Sequence, residues 1–192
     1  MLEDADAIET GLRSVLLDPE RAVELDVQGS VEASVLVPVF VEEGELHVVF
    51  TLRRDDLRRH PGEISFPGGR RDPEDPDLLA TALREAREEI GLAEDAVEVI
   101  GALQPTSTFV TSYSIYPFVG LVPAGSVWTA QTTEVAEVIE LPLPALTAGY
   151  ARRRISRRGV PIRTDTYVVG DHLIWGATAR ILADLVDRVS LL

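Results

Sequence analysis

Apolar and polar positions along this chain switch between two periods, and the switch points divide it into elements. Ile8, Leu12, Val15 and Leu16 recur at i, i+4, i+7 and i+8, which puts one apolar stripe on a short helix. Asp18-Pro19 is expected to end it. The runs 33–41 (ASVLVPVFV) and 45–53 (ELHVVFTLR) are rich in β-branched residues and flank Glu42-Glu43-Gly44, the pattern of a β-hairpin. Pro38 inside the first run assigns that strand to a sheet edge or a bulge. From Asp55 to Pro76 the periodicity stops in a Gly-, Pro- and Arg-rich stretch, too polar for a core, which reads as a functional loop. Helical spacing resumes with Leu79, Leu83, Ala86 and Ile90. Asp75 is the expected N-cap of this helix, Pro76 its first position and Gly91 its C-terminal stop.

Strand-like runs follow at 97–104, 113–122 and 134–141, the last ending at Pro142. Residues 142–149 read as a short helix or turn, 151–163 as an exposed Arg-rich loop, and Thr164–Gly170 as a strand. Residues 175–189 form a closing helix with Ile174, Ala177, Ile181, Leu185 and Val189 on one side. Strands and helices do not alternate regularly. The expectation is an α/β chain of the α+β kind, a mixed sheet sandwiched between helices, rather than a doubly wound parallel sheet. With 192 residues and no repeat, one main domain over 31–192 with a helical extension at 1–30 is the expected organisation.

Composition narrows the chemistry. All 18 basic residues are Arg; there is no Lys and no Cys. Schiff-base and pyridoxal chemistry, Walker-type phosphate loops, thiol nucleophiles and thiolate metal sites are thereby excluded. His47, His60 and His172 lie far apart with no ligand spacing, against a His-based metal centre. No stretch approaches the ~20 apolar residues of a membrane span, and Glu3, Asp4, Asp6 and Glu9 stand where a secretory signal carries positive charge. The expected protein is soluble and cytoplasmic. The net charge is −14, yet residues 51–71 carry +3 and residues 151–163 carry +6, leaving −23 on the rest. Two basic islands in an acidic chain do not make a nucleic-acid surface; the second is read as a solvated loop.

The helix over 78–90 holds the densest candidate chemistry. Glu85 and Glu88 are i, i+3 and Glu85 and Glu89 are i, i+4, so three carboxylates share one sector. Their repulsion is relieved either by solvent, as on an ordinary charged helix face, or by a hard divalent cation such as Mg²⁺, which takes oxygen ligands and keeps waters and phosphate oxygens. Arg84, i, i+4 from Glu88, is placed to orient that carboxylate. The Gly68-Gly69 turn upstream leaves room for backbone to approach a metal or phosphate.

The run Gly69–Leu92, GRRDPEDPDLLATALREAREEIGL, resembles the Nudix box. It matches at Gly69, Asp75, Arg84, Glu85, Ala86, Glu88, Glu89, Gly91 and Leu92. It departs in carrying Asp75 where Glu is usual and in separating that acid from Arg84 by eight residues instead of seven. Immediately upstream, Thr51–Gly69 (TLRRDDLRRHPGEISFPGG) resembles the signature of the coenzyme A diphosphatase (pyrophosphatase) branch through Arg53, Arg58, Gly62, Phe66, Pro67, Gly68 and Gly69, while Phe50 and Arg54 depart from it. Two later stretches, 134–143 and 174–182, are similar to the same branch.

The resemblance implies a Nudix-type α/β/α sandwich that hydrolyses a nucleoside diphosphate derivative. For coenzyme A the products would be 3′,5′-ADP and 4′-phosphopantetheine; NADH, ADP-ribose and dinucleoside polyphosphates are alternative substrates, and a non-catalytic nucleotide sensor is the alternative class. It also implies Mg²⁺ or Mn²⁺ held by Glu88 and Glu89, with Glu85 a further ligand or the group that takes a proton from the attacking water. Arg53, Arg58 and His60, with Gly68 and Gly69, would meet substrate. Arg53 is equally suited to an ion pair with Asp55 or Asp56, and Arg54 and Arg59 are expected to be solvated. Glu134 and Glu137 are candidates for a general base from outside the box, or simply solubilise a strand edge. His47 and His172 are read as packed or solvated, and Trp128 and Trp175 as packing residues. The expected partner is a small-molecule nucleotide, with a second copy of the chain a further candidate.

Overall fold

The computed structural model describes residues 5–57, 61–108, 112–157 and 160–192. In chain order the elements are α1 (Ala5–Val15), α2 (Pro19–Val23), β1 (Val31–Glu42), β2 (Glu45–Arg53), β3 (Ile64–Ser65), β4 (Gly68–Arg70) and α3 (Leu78–Ile90). They continue with β5 (Glu98–Ala102), β6 (Thr106–Ser107), β7 (Tyr113–Leu121), β8 (Val135–Pro142), α4 (Leu143–Ala148), β9 (Tyr150–Arg157), β10 (Val160–Val169), β11 (His172–Trp175) and α5 (Gly176–Val189). Asp18-Pro19 ends α1 and also starts α2, because the Asp18 side chain accepts from the N–H groups of Glu20 and Arg21.

The expected hairpin forms: β1 and β2 are antiparallel, with Glu42 opposite Glu45. That leaves a two-residue loop in which Glu43 and Gly44 both have positive φ, 52° and 79°, the pattern of a type I′ turn. Pro38, however, is not at an edge. β1 is central, parallel to β7 along Val31–Val39 and antiparallel to β2 and β4 on its other side. Pro38 falls in the gap where β1 changes partner, between its pairing with β4, which ends at Val35, and with β2, which begins at Val39. A missing N–H costs least at such a gap.

β2 has β8 along one edge over residues 47–53, so β1 and β3 share the other edge. As β1 and β2 splay apart, the β3–β4 segment fills the space, β3 on β2 and β4 on β1. Antiparallel and parallel pairs in one eight-stranded sheet make it mixed, and helices cover both faces. The alternation of β1 sorts the two layers: Leu36 and Phe40 pack with Ala82, Ala86 and Ile90 of α3, whereas Val37 and Val39 pack with Leu12 of α1 and Leu182 and Leu185 of α5. This is the α/β sandwich the pattern predicts. The buried stripe of α3 runs through Leu78, Ala82, Ala86 and Ile90: Ala86 and Ile90 are buried as expected, while in the first half of the helix Leu78 and Ala82 take the place of Leu79 and Leu83, which are half-buried. In α5 the buried positions are Ala179, Ile181, Leu182 and Leu185, and Ile174 belongs to β11.

The Arg-rich stretch 151–163 is a β-hairpin instead of a loop. β9 and β10 pair in register from Tyr150–Tyr167 to Arg157–Val160, and β11 completes a second, three-stranded sheet. The strand read as Thr164–Gly170 therefore starts earlier, at Val160. Among the described residues, no helix is long and apolar enough to cross a membrane.

Candidate active site

The site is built where β4 passes the C-terminal half of α3. The 66–69 segment is fixed one residue at a time. Phe66 is buried and stacked on Phe50 at 4.8 Å between ring centroids, the Pro67 carbonyl accepts the Leu36 N–H, and the Gly68 N–H donates to Glu89 Oε2 at 3.1 Å. Gly68 and Gly69 therefore lie in a strand, where the sequence suggested a turn. Their missing side chains make room for protein: a Cβ on Gly68 would stand 2.4 Å from the Ser34 carbonyl oxygen, and one on Gly69 2.3 Å from Glu85 Oε1.

The N-cap of α3 falls two residues later than expected. Asp77, not Asp75, is the N-cap, accepting from the Ala80 N–H at 2.8 Å, so Pro76 precedes the helix. Gly91 ends it in the left-handed conformation, as predicted. Asp75 is buried and is freed for another task. Its two oxygens take Arg84 Nε and Nη2 at 2.9 and 3.0 Å, and it also accepts from Thr81 Oγ1 and the Asp72 N–H. The Arg84 guanidinium foremost holds the Asp75 carboxyl well below the ordinary carboxylate range, and Asp75 in turn raises Arg84. Thus oriented, Arg84 reaches Glu85 at 3.0 Å and Glu88 at 3.5 Å. The Asp-for-Glu change and the extra residue still leave this acid paired with Arg84.

The three glutamates do not share one environment. Glu89 is 7% exposed and burial pushes its carboxyl up to about 7 against the opposing Gly68 hydrogen bond, with Glu85 adding to the rise. Burial also raises Glu85, against the pull of Arg84. Glu88 lies outward, its side chain 54% exposed. Among the described residues no three acidic or imidazole side chains converge into a closed metal cage. What the residues do offer is two neighbouring, poorly solvated carboxylates with a third at the rim. That oxygen donor set fits a hard divalent cation bound by one or two carboxylates and completed by waters and substrate phosphate.

Two residues from outside the helix reach this platform. Arg53, at the end of β2, stands 3.9 Å from Glu89 and 3.5 Å from Glu134. It pairs with neither Asp55 nor Asp56; Arg54 takes Asp56 instead, at 2.7 Å, and donates to the Thr132 carbonyl, so Arg54 is engaged and not merely solvated. Glu134 is delivered by the segment that wraps the end of α3, where the Thr129 N–H bonds the Ile90 carbonyl and the Gln131 N–H the Glu89 carbonyl. Glu137 remains exposed on β8. An open cleft of about 400 Å³, lined by Arg54, Asp55, Asp56, Thr132, Val135 and Ala136, adjoins this side. Arg58 and His60, expected to meet substrate, lie outside the described residues. His47 stacks on Phe40 and Trp128 donates to Glu140, both packing roles as expected.

A mixed sheet between helices, with a carboxylate-bearing helix locked to a Gly-Gly strand, is matched over residues 31–158 by the family model described as NUDIX domain. The chain belongs to the Nudix family, whose hydrolases act on nucleoside diphosphate derivatives. Relatives named Uncharacterized Nudix hydrolase NudL, from Yersinia pestis (strain Pestoides F) and Yersinia pseudotuberculosis serotype O:1b (strain IP 31758), are each 39% identical over 161 residues, covering 83% of this chain and 80% of theirs. Among solved structures, a MutT/nudix family protein from Enterococcus faecalis superposes with a TM-score of 0.59 at 14% identity, covering 86% of this chain and 64% of the other. The NUDIX domain of Shewanella oneidensis NrtR, complexed with ADP ribose, gives 0.51 at 18% identity, covering 68% and 81%. These structural likenesses are of fold.

Proposed function

We propose that this Nudix hydrolase cleaves the diphosphate of coenzyme A or a coenzyme A derivative, giving 3′,5′-ADP and 4′-phosphopantetheine or its derivative, with Mg²⁺ or Mn²⁺ bound at Glu85, Glu88 and Glu89. The observation that carries the reading is the lock between the two signatures. The Phe66–Gly69 end of the coenzyme A-type signature is pinned to the α3 carboxylates through Gly68 on Glu89 and Gly69 against Glu85. The described start of that signature, Arg53, also stands beside Glu89, which supports a substrate held between the signature and the carboxylates.

A divalent cation held by these carboxylates would supply charge neutralisation of the diphosphate and a lower cost of forming the attacking hydroxide. The protein's own residues do the positioning. Arg84, clamped by Asp75, fixes Glu85 and Glu88; the Gly68 N–H fixes Glu89. Glu85 or Glu134 accepts the proton of the attacking water. The cationic 53–58 segment suits the additional phosphate that separates coenzyme A from ADP-ribose and NADH.

The test is a panel of coenzyme A, dephospho-coenzyme A, NADH, ADP-ribose and a dinucleoside polyphosphate with Mg²⁺ or Mn²⁺, read by product identity and kcat/KM. Coenzyme A should lead, and Glu89→Gln should lose nearly all turnover. Equal rates on dephospho-coenzyme A and ADP-ribose would overturn the coenzyme A assignment, and tight binding without product would make the protein a sensor.

A further inference from the structure

We propose that Arg53 is a resident counter-cation of the carboxylate platform, bridging Glu89 and Glu134 and competing with a divalent cation for Glu89. The inference rests on the reading of Glu89 as a metal ligand. Its warrant is the contrast between two arginines in one site. Arg84 binds Asp75 through two bonds of 2.9 and 3.0 Å, a closed fork-to-fork pair. Arg53 makes only long contacts, 3.9 Å to Glu89 and 3.5 Å to Glu134, and its Nε is buried with no hydrogen-bond partner among the described residues.

The backbone explains why this side chain is present and loosely held. Pairing between β2 and β8 slips between Leu52 and Arg53, so that Leu52 faces Glu137 but Arg53 faces Val135. The slip sets Arg53 beside Glu134. Hydrogen bonds from the Arg53 N–H to the Glu63 carbonyl and from the Arg54 N–H to the Glu134 carbonyl, both 3.0 Å, hold the main chain. Among the described residues the guanidinium alone is left without a short bond, on a side chain 23% exposed.

Electrostatics then dictate an exchange. Glu89 and Glu134 present negative charge that one guanidinium partly offsets, and an arriving dication at Glu89 repels that guanidinium across a few ångströms of poorly solvated space. Arg53 gives up Glu89, stays near Glu134 at the rim, and presents its donors to an incoming phosphate. Metal entry and substrate capture are thereby coupled through one side chain: Arg53 weakens the metal site when substrate is absent and strengthens diphosphate binding once the cation is in place. Arg53 is a positioning residue in the first state and a substrate contact in the second.

The experiment is Mn²⁺ titration of the full chain, with free Mn²⁺ read by electron paramagnetic resonance, alongside KM and kcat. Arg53→Gln should bind Mn²⁺ about three- to tenfold more tightly while raising KM more than it lowers kcat. In Mn²⁺ affinity, Arg53→Lys, which keeps the charge, should stay within about twofold of wild type, as should Arg54→Gln, which removes a charge already paired with Asp56. Unchanged or weaker Mn²⁺ binding by Arg53→Gln overturns the proposal, and so does equal tightening by Arg54→Gln. If the wild type binds no Mn²⁺, or Glu89→Gln leaves its affinity intact, the metal-ligand reading of Glu89 falls and this proposal falls with it.

Discussion

Gly69 is kept bare by its neighbour and not by its backbone angle. A Cβ there would stand 2.3 to 2.8 Å from the three atoms of the Glu85 carboxylate, so a single methyl group displaces a proposed ligand without touching the core. Gly69→Ala is expected to lower kcat/KM by up to about a hundredfold, the loss that a misplacement of an ångström at a reacting centre can bring, while the thermal midpoint changes little. A variant with normal kcat/KM would separate Glu85 from the chemistry. Asp75 makes the complementary case, a residue whose charge acts on stability. Its pKa is depressed in the folded protein by Arg84, so its contribution is complete above the unfolded value of ~3.9 and is lost as pH falls through the folded one. Asp75→Asn should therefore cost about 2–4 kcal/mol by denaturant unfolding at pH 7, because the buried pair loses one charge. The gap to wild type should narrow below about pH 4. A gap of the same size at pH 3 would assign the loss to packing.

At the scale of elements, the hairpin loop carries an avoidable strain. Glu43 sits at φ 52° in a type I′ turn whose two central positions favour Asn or Gly. Glu43→Asn should raise stability by about 0.5–1 kcal/mol, read as a higher thermal midpoint with unchanged activity, and a lower midpoint would show that the turn is not strained. The hairpin, α3 and α5 were legible because each carries its own period and its own stop signals. Other elements depend on partners distant in the chain. Nothing around Pro38 announces that β1 exchanges β4 for β2 there. The Arg152–Arg154 run hides β9 because three consecutive charges show no alternation, although Ile155 and Ile162 face each other across the ribbon. Either Asp75 or Asp77 could cap α3 by local rules, and only the approach of Arg84, nine residues on, decides it. The carboxylate face was legible as spacing; its unequal burial, and the arrival of Arg53 and Glu134, follow from a strand slip and a wrapping segment that no local pattern encodes.

At the scale of the whole molecule, the family match and the folded body have different limits. The match runs over residues 31–158 and includes α3 and the whole eight-stranded sheet, but neither α1 nor α5. Those two helices supply Ile8, Leu12, Leu182 and Leu185 to the larger core, over the sheet face formed by Val37, Val39, Val48, Phe50 and Val119. Without them that face would keep only the cover of Leu143 and Leu146 from α4 and of Tyr167 and Ile174 from the second sheet, and β1 and β2 would lose much of one of their two supporting layers. The chain ties the layer down with specific bonds as well: Arg188 donates to the Val15 carbonyl at 2.7 Å, and Leu17 exchanges two backbone bonds with Ala102. The N-terminal helix is therefore expected to unfold together with the sheet. Leu12 is fully buried, so Leu12→Ala should cost about 2–5 kcal/mol. The loss should appear at one midpoint by both far-ultraviolet circular dichroism and the fluorescence of Trp128 and Trp175, which lie in different parts of the body. A separate early transition, or an unchanged midpoint, would instead make residues 1–30 an appendage that the catalytic layer does not need.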